Sequence, residues 1–390
     1  MSYSLKAYGS IQEIGQKDWD HCANPDAGNE EFPFDPFVSY SFLQALERSG
    51  SACAESGWAP YHLALHHDTG GICGVIPMYL KSHSQGEYVF DYAWADAFER
   101  AGGRYYPKLQ VSIPFTPATG RRLLVADLED SEVIEGHLLA GLMQLAEKMD
   151  VSSVHLTFLN ESQYKRVGDL GFLQRTHNQF HWLNNNYEDF DDFLSQLSAK
   201  KRKNIKRERR VAVSQEVEIE CVTGDQIEEV HWDAFYEFYL DTGSRKWGSP
   251  YLTRSFFSQV GESMPQNILL ILCKRQGRYI AGAINFIGGD CLYGRNWGCI
   301  EDHPMLHFEV CYYQAIQFAI EKGLKRVEAG AQGEHKLARG YLPTHTYSAH
   351  WIVNQSFRTA ISGFLEQERN YINEEIDHMS GHSPFKKTLD

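Results

Sequence analysis

The residues best placed to do chemistry lie in one short stretch, Glu328-Ala329-Gly330-Ala331-Gln332-Gly333-Glu334-His335-Lys336-Leu337-Ala338-Arg339-Gly340. It runs from strand-like residues through a small-residue loop into a charged cluster. Gly330 and Gly333 free the backbone to turn sharply or to approach a ligand. His335 and Arg339 are four apart and Lys336 adjoins His335, so one helical turn gathers a titratable imidazole and two cations. Such a set suits amide formation. That reaction needs a base for the attacking amine, donors for the carbonyl oxygen of the tetrahedral intermediate, and a proton for the leaving group. His335 or Glu328 is read as the base, and Asp91, on a second strand-like segment, is a further catalytic candidate. Lys336, Arg339 and Arg295 are read as holding anions of donor or acceptor. A tight turn followed by a solvated helix is the competing account of the stretch, and a structural ion pair is the competing account of Asp91 and Arg295. No Ser-His-Asp or Cys-His spacing is legible, so no covalent intermediate is expected.

The elements that must position these residues occur twice. Gly171–Trp182 reads GFLQRTHNQFHW and Gly340–Trp351 reads GYLPTHTYSAHW, with glycine, aromatic, leucine, histidine and tryptophan at matching offsets. Upstream, 62–80 and 269–286 each read as strand, glycine-containing turn and strand, and each continues into a third strand ending in tryptophan, at 86–94 and 289–297. Helical patterns follow at 132–149 and 307–322, leading to strands at 153–158 and 325–329. The same order in both halves argues for duplication of one α/β unit. The expected domains are 1–185 and 186–390. His181 and His350 occupy matching repeat positions and are read as structural.

Composition limits the function classes. The chain has 390 residues, too many for one typical core, with 43% hydrophobic and 23% charged residues and a formal charge of −14. No apolar run is long enough to span a membrane and the first residues lack the pattern of a signal peptide, so a cytoplasmic location is expected. The eight cysteines show no C-x-x-C pair and are read as buried thiols, and the histidine pairs at four-residue spacing (His62/His66, His177/His181, His303/His307) are not read as a metal site.

Between the copies lies Lys200-Lys201-Arg202-Lys203-Asn204-Ile205-Lys206-Arg207-Glu208-Arg209-Arg210, which holds eight of the chain's 37 basic residues. Phe190, Phe193, Leu194 and Leu197 precede it at helical spacing, so a basic helix is expected. A solvated face is the bland reading. Self-repulsion within so dense a run favours an anionic partner, and Lys200, Arg202, Lys203 and Lys206 are read as anion-binding. Aromatic residues crowd the same motifs. Most are read as core, and Tyr341 and Trp247 as substrate-binding, Trp247 because its loop also carries Arg245, Lys246, Gly248 and Pro250.

The three-strand meander, helix, strand, helix and strand in each half resemble tandem GNAT acyltransferase domains. The segments 56–63, 77–98, 105–124, the basic helix and GAQGEHKLARGYLP (330–343) resemble the FemAB-like family of predicted N-acyltransferases, described as peptidoglycan biosynthesis or recognition proteins. The resemblance implies an α/β (α+β) fold of two mixed, largely antiparallel sheets flanked by helices. It also implies transfer of an acyl or aminoacyl group to an amine on a small molecule or peptide, with a tRNA or a carrier protein as partner. The related Fem aminoacyltransferases move an amino acid from aminoacyl-tRNA to a cell-wall precursor, in most cases with a helical arm; no long helical-hairpin insertion interrupts the second half here. GNAT enzymes hold coenzyme A pyrophosphate on a glycine-rich loop after the fourth strand, and the equivalent 298–305 lacks those glycines and carries two acids. In the first half, Arg121 and Arg122 of TPATGRR are read as phosphate-binding. No tightly bound cofactor is expected, and acyl-CoA, acyl-carrier protein and aminoacyl-tRNA stay open as donors. The alternative function is a non-catalytic module that recognises cell-wall precursors or RNA through the basic helix, and a third is an adaptor at a membrane surface.

Overall fold

Helix 131–148 shows how the sequence sets each element. Ile134, Leu138, Leu142 and Ala146 recur at four-residue steps, with Leu139 beside them, and all are buried, each large side chain contributing roughly 1.5–3 kcal/mol. Several helix starts are capped by the short polar side chain before them: Ser39 Oγ accepts from Phe42 N, Asn160 Oδ1 from Gln163 N, and Asp189 Oδ1 from Asp192 N. The computed structural model describes residues 2–25, 32–68, 70–126, 130–246, 250–330 and 333–386.

The elements run β1 (Tyr3–Tyr8), α1 (Gln16–Ala23), α2 (Tyr40–Arg48), β2 (Trp58–Pro60), β3 (His62–His67), β4 (Ile72–Ile76), β5 (Met78–Lys81), α3 (Tyr92–Arg100), β6 (Lys108–Val111), β7 (Leu124–Val125), α4 (Ser131–Lys148), β8 (Ser153–Leu159) and α5 (Glu161–Asp169). There follow β9 (Leu173–Leu183), α6 (Phe190–Gln196), α7 (Ala199–Ala212), β10 (Val217–Thr223), α8 (Glu229–Lys246), α9 (Arg254–Ser263), β11 (Ile268–Arg275), β12 (Arg278–Ile287) and β13 (Cys291–Cys299). The chain ends with α10 (Leu306–Phe308), a π-turn at Glu309–Tyr313, α11 (Gln314–Glu321), β14 (Arg326–Glu328), a 3-10 turn at Glu334–Arg339, β15 (Leu342–Ile352) and α12 (Gln355–Ser380).

Two compact units form, residues 1–177 with 345–374, and 178–344 with 375–390. They are not the two halves cut at 185/186, because each half lends its last strand to the other unit. In the second unit β9 pairs with β14, setting Trp182 beside Val327 and His181 beside Glu328. In the first, β15 pairs with β8, setting Trp351 beside Val154 and His350 beside His155. The repeated histidine and tryptophan therefore sit in the same register twice, which is what a duplicated unit requires. Each unit also holds one parallel strand pair among antiparallel neighbours, β6/β8 in the first and β13/β14 in the second.

In the first unit β2, β5, β6, β8 and β15 form one sheet, and β1, β3, β4 and β7 a second. Its main core gathers α4, β6 and β8 around Leu109, Val111, Leu138, Leu142, Val154 and Leu156. The second unit orders β10, β11, β12, β13, β14 and β9, with Leu269, Ile271, Ala281, Leu292, Ile316 and Val327 in its core. One expected element is corrected: the third strand of the first copy, 86–94, is a loop that enters α3. Ala93, Ala95 and Ala97 favour helix there over the aromatic alternation that suggested a strand. No disulfide forms among the described residues, and of the eight cysteines only Cys22, Cys273 and Cys291 are buried, fewer than expected. Among the described residues no helix is long and apolar enough to cross a membrane.

Candidate active site

The second unit opens where its parallel strands part. β14 pairs with β13 only over Cys291–Tyr293, so Gly294–Cys299 continue beyond the pairing, and ligands gather at the carboxyl ends of parallel strands. At this fork Ile284 faces Asn296 while Asn285 faces Gly294, which leaves Arg295 as the extra residue of a bulge. Such a bulge re-aims a side chain. Leaving β14, the chain turns at Gly330 (φ 77°) and Gly333 (φ 116°), where left-handed backbone suits glycine.

The 3-10 turn then presents His335 exposed and Lys336 buried. Lys336 Nζ donates to the Gly330 carbonyl at 2.8 Å, and burial pulls its pKa down to about 8. His335 Nε2 lies 2.9 Å from the Tyr312 hydroxyl. Its pKa is lowered by burial and then by the charges of Arg339 and Lys336, so the imidazole is neutral at pH 7. Tyr312 comes from the π-turn, a geometry frequent at functional sites because the extra residue rotates the side chains that follow. Phe308 packs on the same ring at 5.5 Å between centroids.

Arg339 holds this turn in place rather than meeting a ligand. Its Nη1 donates to the His335 carbonyl at 2.7 Å, its Nη2 to Glu208 Oε2 at 2.9 Å, and its guanidinium lies 3.5 Å from the centre of the Phe308 ring. Glu208 also accepts from the Tyr313 hydroxyl, so the single acid of the basic run ties α7 to both the π-turn and the 3-10 turn. Sequence reading missed Glu208 and Tyr312. An acid isolated among eight cations is a signal that could have flagged Glu208, but nothing in Glu309–Tyr313 announces a π-turn.

Other expected site residues are corrected. Glu328 is buried and bound to Arg326 at 3.3 Å, with His181 at 3.9 Å, so it serves as an internal counter-ion. Tyr341 is fully buried behind Tyr312 and donates to the Tyr312 carbonyl at 3.4 Å. Asp91 belongs to the first unit, at the start of α3, where it accepts from Lys108 Nζ at 2.5 Å and the Tyr105 hydroxyl at 2.6 Å. Burial alone would raise its pKa, but Lys108 and His155 hold it well below the carboxylate range, which makes it a poor base.

The phosphate-binding reading of Arg122 also fails. Gly120 closes the end of β8 by exchanging hydrogen bonds with Phe158 O (3.0 Å) and Asn160 N (3.1 Å), and Arg122 donates to the carbonyls of Thr157, Ala118 and Arg121. Arg121 donates to Ala23 O at 2.5 Å. The fork that is open in the second unit is thus plugged in the first. Trp247 lies outside the described residues.

On α7, Ile205 and Ala212 face the core while Arg209 pairs with Glu309 at 3.0 Å and Lys206 with Asp191 at 2.9 Å. A cleft of ≈ 520 Å³ lies beside them, lined by Phe190, Leu194, Lys206, Arg209, Gln317 and Glu321 among others. Arg202 is half-buried, and among the described residues Lys200, Lys203, Arg207 and Arg210 form no ion pair. These four recur at three- and four-residue steps, one stripe of the helix about 15 Å long.

Gly333 offers a test of the geometry. A Cβ there would lie 2.4 Å from His335 Cε1, on backbone that resists side chains. Gly333→Ala is expected to shift the imidazole and to lower any turnover that uses it by roughly 10²-fold, and to lower the melting temperature, read by calorimetry, because a side chain is strained on this backbone.

Comparison with known proteins gives the family and the fold. A family model described as FemAB-like, peptidoglycan biosynthesis/recognition, matches residues 10–387. Among solved structures, FemX is 12% identical and aligns over 93% of this chain and 100% of its own, with a TM-score of 0.55. The C-terminal domain (DUF2156) of a putative lysylphosphatidylglycerol synthetase from Agrobacterium fabrum is 8% identical over 92% of this chain and 97% of its own, with a TM-score of 0.53. L-PGS from Bacillus licheniformis is 10% identical over 85% and 98%, with a TM-score of 0.51. At these identities the likeness is one of fold. No curated protein matches the chain.

Proposed function

Because the chain belongs to the FemAB-like family, with the tandem GNAT-like fold of a transferase, we propose that it transfers an acyl or aminoacyl group to an amine, linked to cell-wall precursor metabolism, and that the second unit carries the chemistry. The observation that supports this is the 2.9 Å contact between neutral His335 and Tyr312, beside the buried ammonium of Lys336.

In this reading the amine nitrogen attacks the acyl carbonyl, a C–N bond forms, and the carbonyl electron pair moves onto oxygen. Lys336 stabilises that oxyanion from a site where water is scarce, and there a charge acts more strongly than in solution. The proton lost by the amine passes to His335, directly or through the Tyr312 hydroxyl, and returns to the leaving group as the bond to the donor breaks. His335 is the base in preference to Glu328, whose carboxylate is occupied by Arg326.

The donor is read as one carried on a polyanion, and aminoacyl-tRNA fits best. Four aligned cations on α7 support this, as does the 298–305 segment, where Glu301 is engaged by Arg275 at 3.2 Å and His303 at 3.1 Å and Gly298 is pressed against Phe238 of α8. The test supplies acyl-CoA, acyl-carrier protein and aminoacyl-tRNA separately with amine acceptors and follows mass transfer. Transfer from none of them would leave the binding-module reading. Changing Lys200, Lys203, Arg207 and Arg210 to glutamine is expected to weaken tRNA binding and to flatten its dependence on log salt by up to about 3 in slope; unchanged slope and affinity would make the stripe a solvated face.

A further inference from the structure

Transfer to an amine moves more than one proton. A primary alkyl amine, with a pKa of about 10, arrives at neutral pH as an ammonium ion, and that ion has no lone pair with which to attack. One proton must leave the nitrogen before the C–N bond forms. A second must leave once the bond has formed, and the amide keeps the last. His335 takes one of the two and returns it to the leaving group. The other needs a second acceptor within reach of the same nitrogen.

His307 of α10 stands there. Its ring centre lies 6.3 Å from that of His335 and 5.4 Å from that of Tyr312, edge-on to the tyrosine at 85°. Trp297 meets the same imidazole at 5.5 Å and Phe308 at 5.6 Å. Trp297 belongs to the stretch of β13 that runs on past the last residue paired with β14, so His307 borders the open fork. The ring is half-buried rather than sealed in the core. Two imidazoles at this spacing can each bring a nitrogen to about 3 Å from one atom between them, and imidazoles exchange protons near neutral pH.

The backbone and the nearby charges suit the same role. Met305, two residues before His307, holds a left-handed conformation (φ 67°) although it carries a side chain. Such strain persists only where the surroundings fix it, and it gathers at functional sites. Lys336 and Arg339 are the cations that bear on His335. Beside them a bound ammonium gives up a proton more readily than it does in water.

Resting on the transfer reading, we propose that His307 is a second proton acceptor of the site: it takes the first proton of the bound ammonium, so that the freed lone pair attacks the acyl carbonyl, and His335 takes the second. The balance closes. The electron pair of the broken N–H bond becomes the attacking pair, and the proton on His307 goes to water. The proton on His335 goes to the donor's leaving atom as the bond from that atom to the carbonyl carbon breaks. One N–H stays on the amide. The acceptor served by this arrangement is a basic alkyl amine.

The test supplies aminoacyl-tRNA, acyl-CoA and acyl-carrier protein in turn with methylamine, an ammonium ion at pH 7, and with methoxyamine, which is neutral there and has only one proton to lose. His307→Phe keeps a ring against Trp297 and Tyr312. It is expected to lower kcat for methylamine by roughly 10²-fold or more and for methoxyamine by no more than about threefold, whereas His335→Ala lowers both. His307→Ala decides the matter if His307→Phe does not fold: added imidazole is expected to restore part of its turnover with methylamine, which a lost packing contact does not allow. Equal loss with the two acceptors, no loss with methylamine, or no rescue by imidazole overturns the role of His307 and leaves the transfer reading standing. Transfer to neither acceptor from any donor overturns both.

Discussion

Turnover in His335→Ala is expected to fall about 10²–10⁴-fold, the range that a positioned proton-transfer group contributes, with the loss in kcat and the melting temperature nearly unchanged because the imidazole is exposed. Tyr312→Phe, which keeps the ring and removes the hydroxyl, should lose less and should alter the pH profile. The sign of that profile follows from two groups. His335 acts as a base only when neutral, and its pKa is held below the ordinary imidazole value by burial, Arg339 and Lys336. Activity therefore persists as pH falls to about 6.5 and is lost only below it. Lys336 stabilises an oxyanion only when charged, and its pKa is pulled down to about 8, so activity is lost again as pH rises through 8. A bell with those limbs, measured as kcat/KM against pH, supports the pair; a profile with no alkaline limb, or a Lys336→Gln variant that retains one at 8, contradicts the role of Lys336.

The second large effect is on stability. Lys108→Met is expected to cost about 3–5 kcal/mol, because it removes the cation that hydrogen-bonds both Glu87 and Asp91 and leaves only Lys81, 3.9 Å from Glu87 and beyond hydrogen-bond reach. In thermal unfolding that is a drop on the order of 10 °C. The pH dependence carries the cause. With Lys108 present, the Asp91 carboxyl is held below its unfolded value, so its contribution is present at neutral pH and lost only in strong acid. Burial already raises Glu87 to about 7 with Lys108 in place; without Lys108 the Asp91 carboxyl rises as well, the folded state prefers both protonated, and the deficit should shrink as pH falls towards 5 and grow towards 8. Lys165→Met, which removes an exposed partner of Glu161, is the matched control and is expected to leave stability nearly unchanged, because water screens that pair. Equal losses in the two variants would mean that the interior pair does not behave as buried charge.

Periodicity made much of the fold legible. The apolar steps from Ile134 to Ala146 place α4 within a residue of its observed ends, and the strand, turn and strand read at 269–286 are β11 and β12, observed over 268–275 and 278–287. It misled at 86–94, where aromatic alternation outweighed three alanines and an acid that open a helix. The active-site stretch was legible as chemistry but not as roles. His335, Lys336 and Arg339 are one run of similar charge in sequence, yet one is exposed, one is buried without a carboxylate, and one is spent on Glu208 of α7. Spacing does not distinguish these states, because the counter-ion that decides between them lies over a hundred residues away.

The sequence by itself determined that the unit is duplicated, most of the elements that form, that basic charge is concentrated on one helix, and that the second copy's loop is the one that departs from the first. Local preference and periodicity carry that information, and both act within a few turns of chain. Only the tertiary structure decided that each unit completes its sheet with a strand from the other half, that Gly120 plugs the first fork while Gly330 and Gly333 line the second, and that Asp91 answers Lys108. Those outcomes depend on which buried charge meets which partner, and pairing in a low-dielectric interior is set by distances that only the folded chain creates.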